Sequence, residues 1–102
     1  MIRHVVMWKL KDEALGMDKA ALQTELMRRL EALVGRVPSI VTFEVGLNVV
    51  PGDTASEVCL VSTFADLAGL RDYIEHPVHQ ALVTFIKQVV CDRRAADYEV
   101  QA

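Results

Sequence analysis

The chain has 102 residues, a formal net charge of −3, 52% hydrophobic residues and 25% charged residues. That length holds one domain with one core, expected over 1–102, and leaves no room for a second module. Acidic and basic residues are mixed and no basic run occurs, which argues against nucleic acid as a partner. The apolar stretches fall far short of the ~20 residues that cross a bilayer, so no membrane role is expected.

The chain enters an apolar strand pattern directly at Ile2, with no basic leader and no cleavage site, and the expected location is cytoplasmic. The hydrophobic share is slightly high for so small a domain, and a second copy of the chain is the expected cover for the surplus. Cys59 and Cys91 belong to no C-x-x-C pair and to no cluster with metal-ligand spacing. They read as small buried thiols, and neither a metal nor a cofactor is expected.

Residues 2–10 alternate as a strand, with Ile2, His4, Val6, Trp8 and Leu10 on one face and Arg3, Val5, Met7 and Lys9 on the other. Its centre is apolar on both faces, so something must cover each side. Gly16 ends a short loop. Asp18 then caps a helix running to about Val34, with Leu22, Leu26, Leu30 and Leu33 as its apolar stripe. Gly35 suits the left-handed position after the helix, and Pro38 stops the helix from resuming.

A second strand is expected over 40–49, with Val41, Phe43, Val45, Leu47 and Val49 on one face. Pro51-Gly52-Asp53-Thr54 is a turn, and 56–64 is a third strand pairing back as a hairpin. Asp66 caps a short helix carrying Leu67, Leu70 and Ile74. His76-Pro77 breaks it, because a residue before proline is driven out of the α region. Pro77 starts another helix with Val78, Leu82, Phe85, Ile86 and Val89 on one face, and a last strand occupies about 92–101.

The order β-α-β-β-α-β points to an α+β fold of ferredoxin-like type, a four-stranded antiparallel sheet with helices on one face. The other face is left for a partner, and two such sheets facing each other make a dimeric α+β barrel. With the usual strand order 4-1-3-2, Cys59 and Cys91 lie about two strand spacings apart, roughly 9–10 Å. A disulfide needs Cα atoms within about 7 Å, so no intrachain bridge is expected.

The segments IRHVVMWKLK, VPSIVTFEVGLN, DYIEHPVHQALVTFIKQVV and DYEV together resemble the stress-responsive A/B-barrel (Dabb) family over nearly the whole chain. The Tyr-x-x-His-Pro-x-His run from Tyr73 to His79 is the most specific part. The resemblance implies the ferredoxin-like protomer and the dimeric barrel. It also implies a site, because one member is a polyketide cyclase whose working pair is a tyrosine and the second histidine of this run, matching Tyr73 and His79. A histidine near the start of its first strand lies in the same pocket and matches His4.

His79 falls in the first turn of its helix, bordering Leu82, Val83 and Ile86. The positive helix end and partial burial both favour a neutral ring, which suits a general base. The competing reading is a histidine that caps backbone groups. Tyr73 is read as a hydrogen-bond donor to a substrate carbonyl, or else as an edge residue with a wet hydroxyl. His4 helps to orient a partner, or is a hydrogen-bonded core residue.

His76 is read as part of the bend. A three-histidine metal site from His4, His76 and His79 is the weaker alternative, since no carboxylate stands near to support the rings. Trp8, Phe43, Phe64 and Phe85 read as core, and Arg93-Arg94 as a solvated strand start or an anion contact.

Two functional readings remain open. One is a small-molecule site in a barrel-facing cavity, with lyase or cyclase chemistry on a β-keto or polyketide-like compound. The other is a non-enzymatic, stress-responsive dimeric or oligomeric binding protein, its barrel filled by side chains such as Trp8 and Phe43.

Overall fold

The computed structural model describes residues 1–101, so Ala102, the last residue of the expected domain, lies outside the described residues. Strand β1 (Ile2–Leu10) follows its alternation: Ile2, His4, Val6, Trp8 and Leu10 are buried, and Met7 is exposed. The expected loop after it contains a small hairpin, Glu13–Ala14 (β2) against Met17–Asp18 (β3). Leu15 and Gly16 at its tip have φ of 53° and 75°. Two positive φ values in succession make the turn that matches strand twist, and Gly16 adopts its value without a Cβ penalty.

Asp18 accepts a hydrogen bond from the Ala21 N–H at 2.9 Å and starts α1 (Lys19–Glu31). Leu22, Leu26 and Leu30 are buried, each worth roughly 1.5–3 kcal/mol relative to exposure. The helix ends three residues earlier than expected, and turns carry the chain on, with Leu33 still buried. Gly35 has φ 84°, as its left-handed role requires.

Strands β4 (Ile40–Leu47) and β5 (Val58–Phe64) pair antiparallel across a longer loop, residues 48–57, than the sequence pattern suggests. Ile40 pairs with Phe64 and Thr42 with Thr63, leaving Val41 as an extra residue. This bulge shifts the alternation by one. Ile40 therefore joins Phe43, Val45 and Leu47 against the core, whereas Val41 is exposed and Val49 lies beyond the strand in solvent.

Asp66 accepts from the Gly69 N–H at 2.8 Å and caps α2 (Leu67–Glu75). Its buried residues are Leu70 and Tyr73, not the expected trio, because Leu67 and Ile74 are exposed. Two turns of helix can seat only one i, i+3 pair on the sheet, and the large Tyr73 ring takes the second place. Helix α3 (Pro77–Val89) buries Leu82, Phe85, Ile86 and Val89 as expected, leaves Val78 half-buried in its first turn, and runs straight into β6 (Val90–Glu99).

The main sheet has the order β4-β5-β1-β6, antiparallel throughout. With the small hairpin set aside this is the expected 4-1-3-2 order, and the fold is ferredoxin-like α+β. The helices cover one face. The opposite face carries Val5, Met7, Cys59 and Val61 at its middle, bordered by Arg3, Lys9, Glu44, Asp92, Arg94 and Tyr98. It is thus less uniformly apolar than the sequence reading holds. Both cysteines are free; Cys91 is exposed and not buried, because β6 is an edge strand whose residues are almost all in solvent.

Candidate active site

Strand β1 presents His4 to the helix-covered face between Ile2 and Val6. Helix α2 brings Tyr73 down onto it, and the bend at His76-Pro77 turns α3 so that His79 meets Tyr73 from the other side. The Tyr73 and His79 ring centroids are 4.4 Å apart, and those of His4 and Tyr73 are 6.0 Å apart. Phe64 supports the tyrosine ring at 5.1 Å. Tyr73 is thus the hub between the two histidines, and at 1% exposure it is a core residue rather than a wet edge.

The bend has a simple chemical origin. His76 is extended, at φ −63° and ψ 134°, as a residue before proline must be. Its Nδ1 accepts from the Val78 N–H at 3.1 Å and caps α3, and its own N–H donates to the Tyr73 carbonyl at 3.2 Å. His76 therefore serves the bend, as expected, and is not among the cavity's lining residues.

The protonation pattern of His79 follows from its partner. Its Nδ1 lies 3.0 Å from the Ile74 carbonyl, which only accepts, so Nδ1 carries the hydrogen and Nε2 has the free lone pair. Burial is the main force holding the ring below its ordinary value of 6.5; the Ile74 bond opposes this, and His4, Arg93 and His76 reinforce it. The result is a neutral base at physiological pH. Burial likewise pushes the Tyr73 phenol well above its usual value of 10, against a smaller pull from Arg93. Tyr73 therefore stays protonated and acts as a donor.

His4 has a partner that sequence reasoning missed. Its Nδ1 donates to the Asp97 carboxylate, the residue directly opposite it in the β1–β6 register. A carboxylate does stand behind this ring, contrary to expectation, and it fixes the tautomer. The Ser62 hydroxyl donates to the His4 carbonyl at 3.2 Å and holds the backbone. Only the antiparallel register reveals Asp97, because nothing in the string DRRAADYEV marks one acid over another.

Together these side chains line a cavity of about 160 Å³. His4, Val6 and Trp8 come from β1, Tyr73 from α2, His79, Val83, Ile86 and Lys87 from α3, and Arg93 from β6. The cavity lies between the sheet and the helices, on the opposite side from the expected barrel interior. The reason is the strand period: His4 shares its face with Val6 and Trp8, and that face packs under the helices. Trp8 consequently fills no barrel. Its Nε1–H is buried without a hydrogen-bond partner among the described residues.

Among the described residues, no group of three or more His, Cys, Asp or Glu side chains is arranged to hold a metal ion. Among the described residues, no helix is long and apolar enough to cross a membrane.

An uncharacterised protein of Streptomyces coelicolor is 31% identical over 99 residues, covering 97% of this chain and 99% of that one. A dimeric protein of unknown function with a ferredoxin-like fold from Bacteroides fragilis is 30% identical, with a TM-score of 0.84 over 97% of this chain and 95% of that one. The hydroxynitrile lyase of Passiflora edulis superposes with a TM-score of 0.82 over 98% of this chain and 93% of the lyase. It is 13% identical, so that likeness is one of fold alone. A model of the stress responsive A/B barrel domain matches residues 2–100, nearly the full length, and the chain belongs to that family.

Proposed function

We propose that the cavity binds a small carbonyl compound and that the protein carries out lyase or cyclase chemistry on a β-keto or polyketide-like substrate. The observation that carries this reading is the pair of Tyr73 and His79, in ring contact at 4.4 Å and both lining one cavity. His79 Nε2 takes the proton from the carbon next to the carbonyl. The C–H electron pair becomes an enolate, whose oxygen accepts a hydrogen bond from the Tyr73 hydroxyl. The enolate carbon then bonds to a second carbonyl carbon of the same molecule, and the imidazolium returns its proton to the new alkoxide. The Ile74 carbonyl steadies the base throughout, because Nδ1–H donates to it in both charge states. His4, anchored by Asp97, orients the bound carbonyl compound.

The Tyr73–His79 match to the family's cyclase supports the same assignment. The protein acts as a homodimer in the cytoplasm, its uncovered sheet face paired with that of a second copy. A non-enzymatic binding role is the second reading, favoured by a cavity of about 160 Å³, below the ~300 Å³ at which drug-sized pockets begin.

Solvent-deuterium exchange into the α-position of a small β-keto thioester, measured against the buffer rate, tests the chemistry. His79→Ala should lower the rate by roughly 10²–10⁴ and Tyr73→Phe by about 10². Wild-type rates in both folded variants would sink the assignment. Tight binding with no exchange above buffer would leave the binding role.

A further inference from the structure

The charged side chains that line the cavity, Lys87 and Arg93, are both cations and both donors. Both are exposed, and among the described residues no aspartate or glutamate lines the cavity. Neither cation forms an ion pair among the described residues, although the neighbouring Arg94 pairs with Asp92 on the other sheet face. Arg93 stands directly opposite Trp8 in the β1–β6 register. Side chains so placed have Cβ atoms about 4.5–5.5 Å apart, which puts the guanidinium on the same wall as the indole.

The Trp8 indole is 4% exposed, and its Nε1–H has no acceptor among the described residues. A buried donor left unpaired costs free energy, and a ligand oxygen would remove that cost. Two unpaired cations and an orphan N–H on the wall of the cavity that holds Tyr73 and His79 form a binding site for an anion.

We infer that the cavity takes a small organic carboxylate, its acidic group held by Arg93, Lys87 and the Trp8 Nε1–H and its apolar body against Val6, Val83 and Ile86. This rests on the small-molecule reading above and adds the charge of the ligand to it. The planar guanidinium fork matches a carboxylate in two parallel hydrogen bonds. The volume, about 160 Å³, admits a body the size of a benzene ring. A β-keto acid has both the acidic group and the carbonyl that His79 and Tyr73 require.

Trp8 is the chain's single tryptophan, so its fluorescence reports directly on the cavity. Benzoate, benzamide and phenyl phosphate are titrated into the full chain, with calorimetry as a second readout. Benzoate should bind about tenfold tighter than benzamide, the uncharged molecule of the same shape. Arg93→Gln and Lys87→Met, both at exposed positions that tolerate change, should remove most of that difference. Trp8→Phe, followed by calorimetry, should weaken benzoate more than benzamide, because the charged acceptor makes the stronger hydrogen bond.

Equal affinity for benzoate and benzamide would overturn the inference while leaving the small-molecule site intact. Preference for phenyl phosphate would replace the carboxylate by a phosphate. Failure of all three to bind would overturn both the inference and the reading beneath it.

Discussion

Replacing His76 by alanine tests whether the bend between α2 and α3 builds the site. The His76 ring nitrogen is the acceptor for the Val78 N–H, 3.1 Å away, and so caps α3. Loss of a helix cap costs about 1 kcal/mol. In a domain of this size that lowers the melting temperature by roughly 4–8 °C. Asparagine is a strong capping residue and retains the acceptor, so His76→Asn should recover most of the loss.

The damage should extend to the site, because Tyr73 and His79 flank the bend. The Ile74 carbonyl accepts from His79 Nδ1 at 3.0 Å and from Gln80 Nε2 at 2.7 Å, so looseness at the start of α3 frees the His79 ring. Thermal melts followed by far-UV circular dichroism and the exchange assay read the two effects separately. A His76→Ala protein that melts like wild type refutes the reasoning. So does a His76→Asn protein as impaired as the alanine variant.

Acid sensitivity should depend on His79. Burial holds its folded-state value below the 6.5 of the unfolded chain, so the unfolded state binds the proton first as pH falls. The contribution to stability is complete above pH 6.5 and is lost as pH drops through the folded value. The His79→Gln variant should lose less stability than wild type across that window in urea melts at stepped pH, and parallel curves would contradict it. Removing the Asp97 carboxylate with Asp97→Ala leaves the His4 N–H buried and unpaired, at a cost of about 1–3 kcal/mol. Asp97→Asn, which keeps an acceptor, should lose less; the urea midpoints of the two variants give the comparison, and a wild-type midpoint for the alanine variant would contradict the pairing.

Much of the fold was legible in the sequence because the signals concerned are local. Asp18 and Asp66 cap helices through their own side chains, Gly35 takes a positive φ, and Pro77 opens α3 after a residue forced to be extended. Each depends on residues within a few positions of itself. The period of β1 and the stripes of α1 and α3 are local in the same sense, and from them follow the element order and the one-sided helical layer. The candidate residues His4, Tyr73 and His79 were also legible, two of them through a single seven-residue run.

What tertiary structure alone decided involves groups distant along the chain. The bulge at Val41 exists because β4 must keep register with β5, and the rotation of α2 exists because Tyr73 fits the space beside Phe64. The Asp97 carboxylate meets His4 across 93 positions through strand register. The same register sets Arg93 against Trp8, and the side of the sheet on which His4 packs puts the cavity under the helices and not between two sheets. Side-chain periodicity specifies that a strand has two faces. Which face closes over a cavity, and which charges stand at its mouth, depends on packing among elements that a linear pattern does not relate.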